Sequence, residues 1–254
     1  MSIHIDIEGS GPPVVLIHGW GLHGGVWART ARALAATCTV LRVDLPGFGA
    51  SATLPAPYSA EALAQAVAAR VPADAAWVGW SLGGLVALAA ARAGVPMRKL
   101  ALVGATPCFV QVADWPQAMA PEVLAAFAAE LTADWRATVL RFLALQVRGS
   151  ERARDELRVL RDTVFARGEP SVAALRGGLD VLRDTDLRGV LDHVTLPTLI
   201  IHGTRDVLVP TRAATHTAEA LPRARLALVE GAGHAPFLSH PDEFERMLMA
   251  FLHE

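Results

Sequence analysis

A Gly-Trp-Ser-Leu-Gly stretch at residues 79–83 constrains this chain more than any other part of its sequence. Large apolar residues precede it and predict a buried strand, while small apolar residues follow it and predict a buried helix. A serine on such a sharp strand-to-helix turn projects its hydroxyl from the sheet, and flanking glycines let the backbone approach closely. The stretch therefore predicts a nucleophile at Ser81, although this short pattern also occurs by chance in ordinary turns.

Composition narrows the class of protein. The 254 residues are 52% hydrophobic, which is enough for one large α/β domain or two small ones. Two cysteines make no disulfide framework, no Cys/His pair has zinc-finger spacing, and a net charge of −2 argues against general nucleic-acid binding. Met1 to Asp6 lack a secretory leader, and no apolar run is long enough to span a membrane. We expect a cytoplasmic protein without metal or cofactor.

Strand and helix patterns alternate over most of the chain. Apolar runs predict strands at residues 3–7, 13–17, 39–43, 77–80, 100–104, 199–201 and 225–229. Helical patterns lie between them, at residues 26–36, 60–71, 82–93, 211–221 and 241–252. This alternation predicts an α/β fold with a mostly parallel sheet, right-handed crossovers and helices on both faces.

The alternation stops in the middle of the chain. Between residues 115 and 188 the sequence predicts only helices, at 121–130, 132–147, 150–166 and 171–184. We therefore divide the chain into a core of residues 1–110 and 189–254 and a helical insertion of residues 111–188. Ligands of open α/β sheets bind at the carboxyl ends of the strands, so an insertion there is expected to form a lid.

A serine nucleophile needs a base, and the base needs an orienting acid. Asp206 follows the predicted strand at residues 199–201, and His234 follows the strand that ends at residue 229. The order Ser81, Asp206, His234 is similar to that of α/β-hydrolases, in which each catalytic residue follows a strand. We predict these three residues as the catalytic triad.

Other acids and histidines compete for these roles. Asp44 precedes Leu-Pro-Gly and is expected to order that turn, while His240 precedes a proline and is expected to start the last helix. Asp186 and His202 stay open as rivals. His18 lies in a glycine-rich loop and is expected to have a structural role.

Acyl transfer also requires donors for the developing oxyanion. One is expected to be the backbone N–H of Leu82, directly after the nucleophile, and the other that of Trp20, in the loop after the first buried strand. The Trp20 side chain would form a wall of the pocket. Serine at position 81, rather than the aspartate of relatives that open epoxides, favours acyl-enzyme chemistry.

The predicted lid is rich in arginine. Residues 136–161 contain seven arginines and three acids, a net charge of +4 in a chain of net −2. Arg154, Arg158 and Arg161 have the spacing of a single helix face. This face is either an ordinary solvated surface or a docking surface for an acidic macromolecule.

Five segments carry a more specific resemblance. They are His18-Gly19-Trp20-Gly21, Asp44-Leu45-Pro46-Gly47-Phe48-Gly49, Gly79-Trp80-Ser81-Leu82-Gly83-Gly84-Leu85, Phe142-Leu143-Ala144-Leu145-Gln146 and His234-Ala235-Pro236-Phe237. Together they resemble the pimeloyl-[acyl-carrier protein] methyl ester esterases of biotin synthesis, within the α/β-hydrolases. The resemblance implies a cytoplasmic serine carboxylesterase that removes a methyl group from a pimeloyl thioester on acyl carrier protein.

The resemblance also implies roles for individual residues. Catalysis falls on Ser81, Asp206 and His234. Substrate contacts fall on two members of the triad and on residues of the elbow, the first loop and the lid. They are Ser81, His234, Trp20, Leu82, Phe142, Leu143, Ala144, Leu145 and Gln146. Contacts with the carrier protein fall on Arg141, Arg154 and Arg158.

Two classes of rival function share these features. The first contains other serine hydrolases of the same fold, namely a broad carboxylesterase, a carbon–carbon bond hydrolase or a perhydrolase. The second is a ligand receptor that keeps the triad and barely turns over. We expect a monomer whose partner is acyl carrier protein.

Overall fold

The central sheet confirms the predicted α/β class. The computed structural model describes residues 3–52 and 55–254, so Met1 and Ser2 of the amino-terminal segment discussed above lie outside the described residues. The described residues form seven strands: β1 (Ile5–Gly9), β2 (Pro13–Ile17), β3 (Thr39–Val43), β4 (Ala76–Trp80), β5 (Lys99–Val103), β6 (Thr198–Gly203) and β7 (Ala224–Val229). Their order is β1-β3-β2-β4-β5-β6-β7, and only β1 is antiparallel to its neighbour.

Helices connect the strands and form the insertion. They are α1 (Ala28–Leu34), α2 (Ala60–Ala68), α3 (Leu82–Arg92), α4 (Pro121–Ala133), α5 (Trp135–Gln146), α6 (Ala153–Val164), α7 (Val172–Asp184), α8 (Thr211–Ala220), α9 (Pro236–Ser239) and α10 (Pro241–His253). Short 3-10 turns lie at Gly24–Trp27 and Arg188–His193. Every residue of β4 is buried, because helices cover both faces of the sheet.

Several predicted helix bounds were wrong, and local hydrogen bonds explain why. The helix predicted from residue 26 begins as a 3-10 turn, because the His23 side chain accepts from the N–H of Gly25. The helix predicted from residue 132 begins three residues later, because Asp134 caps α5 by accepting from the N–H of Ala137. Ser59 caps α2 by accepting from the N–H of Ala62.

Helices α4 to α7 lie between β5 and β6, where the sequence placed a helical insertion. A buried ionic contact ties the segment after α6 to the core. Arg167 pairs with both oxygens of Asp44, at 3.1 Å each, and with Asp6 on β1. Because the Asp44 side chain is fully buried, it needs these partners and the N–H of Gly24 at 2.7 Å.

Candidate active site

The predicted site residues gather where the strands end. Trp20 follows β2, Ser81 follows β4, Asp206 follows β6 and His234 follows β7. These four strands are parallel, so their carboxyl ends lie along the same edge of the sheet. All four residues are buried, with Ser81 3% exposed and His234 1% exposed.

Ser81 has the strained backbone expected of a nucleophile on a sharp turn. Its φ of 54° is the only positive value at a non-glycine residue in the described part of the chain. Its N–H donates to the carbonyl of Val103 at 3.0 Å, which holds the turn against β5. The strain is retained because the surrounding structure leaves this residue no alternative.

The elbow glycines are required by close backbone contact, and alanine there is expected to destabilise the protein. A Cβ at Gly79 would lie 2.2 Å from the carbonyl oxygen of Gly83. Gly79→Ala should lower the free energy of unfolding by about 3 kcal/mol or more, measured by urea denaturation. The matched control is Gly189→Ala, where a Cβ meets nothing within 4 Å. Equal stability of the two variants would contradict this account of the turn.

His234 and Asp206 are in direct contact. Nδ1 of His234 donates to Oδ2 of Asp206 at 2.7 Å, and both side chains are buried. Nε2 of His234, on the far side of the ring, is buried and has no hydrogen-bond partner among residues 3–52 and 55–254. With Nδ1 protonated, Nε2 has the lone pair that a general base needs.

Asp206 is held as a carboxylate by several donors. Its Oδ1 accepts from the N–H groups of Leu208 at 2.9 Å and Val209 at 3.0 Å. Burial alone would raise the pKa of Asp206, but the charge and hydrogen bond of His234 outweigh it and hold that pKa below its usual value. His202 lies 3.4 Å from the same carboxylate and donates from Nε2 to the carbonyl of Val209. Burial lowers the pKa of His202, so it stays neutral.

The rival residues have other partners. Asp44 orders its turn as expected, by accepting from the N–H groups of Gly24 and Ala50. Asp186 forms an exposed pair with Arg188, and His240 starts α10.

His18 links two loops. It donates from Nδ1 to the carbonyl of Gly19 at 2.8 Å and accepts at Nε2 from the N–H of Leu45 at 2.9 Å. Burial lowers the pKa of His18 to about 4. It is therefore a neutral structural residue at neutral pH.

The two predicted oxyanion donors lie beside the elbow. Leu82 is the first residue of α3, and the first N–H groups of a helix have no partner within it. The Trp20 side chain donates from Nε1 to the carbonyl of Leu175 on α7 at 2.8 Å. Its ring packs edge-on against Phe142 of α5, with centroids 4.7 Å apart. Trp20 therefore links the loop after β2 to the insertion.

The segment expected to contact substrate forms the end of α5. Phe142, Leu143 and Gln146 are buried, whereas Ala144 and Leu145 are half-buried. Neither side-chain polar atom of Gln146 has a hydrogen-bond partner within the described residues, although the residue is 1% exposed. Buried amides normally have partners, so Gln146 is a suitable contact for a polar ligand group.

The arginines of the insertion differ in their partners. Arg141 pairs with Glu130 and stacks on the ring of Phe127. Arg154, Arg158 and Arg161 are exposed on α6 and make no ion pair within residues 3–52 and 55–254. These three arginines share α6 with two exposed acids, Asp155 and Asp162.

Two contacts of the histidine loop had not been expected from the sequence. Nε1 of Trp80 donates to the carbonyl of His234 at 2.9 Å, and the N–H of His234 donates to the carbonyl of Gln146 at 3.3 Å. Trp80 is fully buried within the elbow, and a buried indole N–H requires an acceptor, which is the one signal that could have indicated it.

Comparison with known proteins identifies the family. A model of the alpha/beta hydrolase family matches residues 14–247. The chain belongs to the alpha/beta hydrolase family. This match covers the elbow, the acid and the histidine of the hydrolase.

Proteins of three bacteria are close relatives of this hydrolase, and each is named a pimeloyl-[acyl-carrier protein] methyl ester esterase. The protein of Xanthomonas campestris pv. campestris (strain B100) is 47% identical over 250 residues, covering 98% of both chains. That of Stenotrophomonas maltophilia (strain K279a) is 46% identical over 98% of this chain and 96% of its own. That of Xylella fastidiosa (strain M23) is 44% identical over 98% of both. The resemblance found in the sequence is confirmed.

Solved structures share the fold of this hydrolase. A bromoperoxidase from Bacillus anthracis superimposes with a TM-score of 0.90 at 27% identity, over 99% of this chain and 95% of its own. An esterase from Exiguobacterium antarcticum superimposes with a TM-score of 0.86 at 26% identity, over 99% and 96%. The differing names show that the fold alone does not determine the substrate.

Two features are absent from residues 3–52 and 55–254. None of their helices is long and apolar enough to cross a membrane. In the same residues, no group of three or more His, Cys, Asp and Glu side chains could hold a metal ion.

Proposed function

We propose that this chain is a serine carboxylesterase that removes the methyl group from the methyl ester of pimeloyl-[acyl-carrier protein]. The observation that carries the proposal is the 2.7 Å contact of His234 with Asp206, at the same edge of the sheet as a serine in strained elbow geometry. The names of relatives at 44–47% identity support the substrate. A cytoplasmic location and a monomeric state stay predictions.

The first half of the reaction forms an acyl-enzyme. Nε2 of His234 takes the proton of Ser81 while Oγ attacks the carbonyl carbon of the methyl ester. The tetrahedral oxyanion accepts from the N–H groups of Leu82 and Trp20. His234 then returns its proton to the methoxy oxygen, and methanol leaves. Asp206 keeps Nδ1 protonated and stabilises the imidazolium.

The second half releases the carboxylate. Water gives a proton to Nε2 of His234 and attacks the acyl-enzyme carbonyl, through a second oxyanion at the same two donors. Collapse of this intermediate returns the proton to Ser81. The product is pimeloyl-[acyl-carrier protein] with a free carboxylate at the far end of the chain.

The insertion acts as a lid in this proposal. Phe142 and Leu143 supply an apolar surface for the acyl chain, and Gln146 supplies an amide with no partner within the described residues. The buried positions of Ser81 and His234 support a covered site in which the oxyanion interactions are strengthened by exclusion of water.

The exposed arginines of α6 are the proposed docking surface for the carrier protein. Arg154 and Arg158 make no ion pair in the described part of the chain, so their charges are available to an acidic partner. Arg141 is engaged by Glu130, and docking through it would require that pair to break.

Charge reversal on α6 should separate docking from chemistry. The double variant Arg154→Glu/Arg158→Glu should lower kcat/KM for the carrier-linked ester about tenfold or more and leave hydrolysis of a small ester unchanged. The control is Arg70→Glu/Arg223→Glu, two exposed arginines near the amino ends of β4 and β7, on the opposite edge of the sheet. Equal loss on both substrates would indicate damage to the lid instead.

Methanol release tests the proposed function directly. The rate is measured with pimeloyl methyl ester on acyl carrier protein and with the same ester without the carrier. A strong preference for the carrier-linked ester is expected. Comparable rates would favour a broad carboxylesterase. Labelling of Ser81 by a fluorophosphonate without hydrolysis of either ester would favour an enzyme for another acyl substrate, or a ligand receptor that barely turns over.

A further inference from the structure

A buried carboxyl group that the mechanism does not use lies close to the catalytic histidine. Glu156 is on α6 and is 2% exposed. Its Oε1 accepts from Oγ of Ser150, while its Oε2 is buried and has no hydrogen-bond partner within the described residues. An unpartnered carboxyl oxygen in the interior destabilises the fold, so this group requires an explanation.

The turn between α5 and α6 packs on the loop that carries His234. At one end of the turn, the carbonyl of Gln146 accepts from the N–H of His234 at 3.3 Å. At the other end, the N–H of Glu151 donates to the carbonyl of Gly231 at 3.1 Å. This turn therefore helps to hold the histidine loop in place.

Ser150 connects Glu156 to that loop. Its Oγ accepts from the N–H of Arg152 at 3.1 Å and donates to Glu156. A Cβ built on Gly233 would lie 3.1 Å from the Cβ of Ser150, so the serine is in contact with the backbone next to His234. Loss of the Glu156 contact would leave Ser150 without its acceptor.

The charged groups that act on Glu156 come from two elements. Arg152 lies at the start of α6, and His234 lies on the loop before α9. α5 contributes the neutral Gln146 to the same region, and α9 contributes the carbonyl of Ser239, which accepts from Arg152 at 3.0 Å. His23, directly before the 3-10 turn that packs on α6, contacts the carbonyl of Thr163, near the other end of that helix from Glu156.

We infer that Glu156 is a positioning residue for His234. Its carboxylate holds Ser150 against the histidine loop, and its negative charge stabilises the imidazolium that forms when His234 takes the serine proton. The inference rests on the proposed serine-hydrolase chemistry and does not depend on which ester is the substrate.

The titration of Glu156 agrees with this role. Burial raises its pKa to about 7, although the Ser150 hydrogen bond and the charges of Arg152 and His234 oppose the shift. Because the pKa of Glu156 is higher in the folded than in the unfolded protein, its neutral form favours folding. This contribution to the free energy of unfolding is fully present below the unfolded-state pKa and is lost as the pH rises through about 7. Glutamine could make the same hydrogen bond without this loss, so the carboxylate is a cost to stability.

Removing the negative charge of Glu156, while keeping the shape of its side chain, tests the inference. In Glu156→Gln, we expect kcat/KM for a small chromogenic ester to fall about fivefold at alkaline pH, with KM unchanged, because the imidazolium loses a nearby negative charge. The acid limb of the profile of kcat/KM against pH should lose one ionisation, that of the Glu156 carboxyl. The control Asp162→Asn removes an exposed charge near the other end of the same helix and should keep the wild-type rate and profile.

A second variant and two readouts make the test decisive. Ser150→Ala removes a hydrogen bond that lowers the pKa of Glu156, so its acid limb should move to higher pH. Glu156→Gln should also melt at a higher temperature than wild type above neutral pH, which shows that it is folded. A wild-type pH profile in Glu156→Gln, or an unmoved limb in Ser150→Ala, would overturn the inference.

The same experiment separates this inference from the proposed substrate. All variants are also labelled with a fluorophosphonate, which needs only an activated Ser81. If wild type is labelled but leaves the carrier-linked ester intact, the proposed substrate is wrong, and the variants still test Glu156. If wild type is not labelled, the serine chemistry fails and the inference is overturned with it.

Discussion

Replacing Ser81 with alanine is expected to reduce ester hydrolysis by roughly 10⁴-fold or more, because the proposed acyl-enzyme forms on the Ser81 hydroxyl. The measurement is steady-state hydrolysis of a small ester together with fluorophosphonate labelling, which should disappear. The matched control is Ser59→Ala, which removes the cap of α2 and should cost about 1 kcal/mol of stability without changing the rate.

A glycine at the same position separates activity from folding. Ser81 has a φ of 54°, a conformation that glycine adopts without strain. Ser81→Gly should therefore be inactive and about 1 kcal/mol more stable than Ser81→Ala, as measured by thermal denaturation. A Ser81→Ala variant with near wild-type turnover would exclude this serine as the nucleophile.

The substitution Asp206→Asn should lower kcat by roughly 10³- to 10⁴-fold, with little change in fold. An asparagine can keep its carbonyl oxygen towards the N–H groups of Leu208 and Val209, which then turns its NH₂ group towards His234. That arrangement requires Nδ1 of His234 to be an acceptor. Its proton would then be on Nε2, where it prevents proton transfer from Ser81.

Kinetics of a second aspartate variant complete this test. Asp186→Asn removes the rival acid, which is exposed and paired with Arg188, and should leave kcat unchanged. The two variants are compared as kcat on the same small ester. A larger loss in Asp186→Asn than in Asp206→Asn would reverse the assignment of the acid.

The positions of the predicted triad could be inferred from sequence because apolar runs mark the strands that precede each of its residues. Ser81, Asp206 and His234 are distant in sequence, yet each follows an apolar run with turn residues after it. Parallel strands bring their carboxyl ends to one edge, so order along the chain was enough to place the residues together. The roles of these residues in catalysis stay predictions until the variants are measured.

Contacts made by the insertion could not be inferred in this way. Arg167 after α6 pairs with Asp44 of the core, and Arg141 of α5 pairs with Glu130 of α4, but sequence periodicity does not encode which elements meet. The arginine spacing on α6 predicted a common face, but it could not show which arginines lack partners in the described residues. The link from Glu156 through Ser150 likewise depends on packing between separate elements.

Two of the bonds that attach the insertion to the core have a consequence for catalysis. Trp20 donates to Leu175 of α7, and His234 donates to Gln146 of α5. An outward movement of α5 and α7 that broke both bonds would leave the predicted oxyanion donor Trp20 and the predicted base His234 without these anchors. A form with the insertion swung outward would then be a poorer catalyst than the closed form.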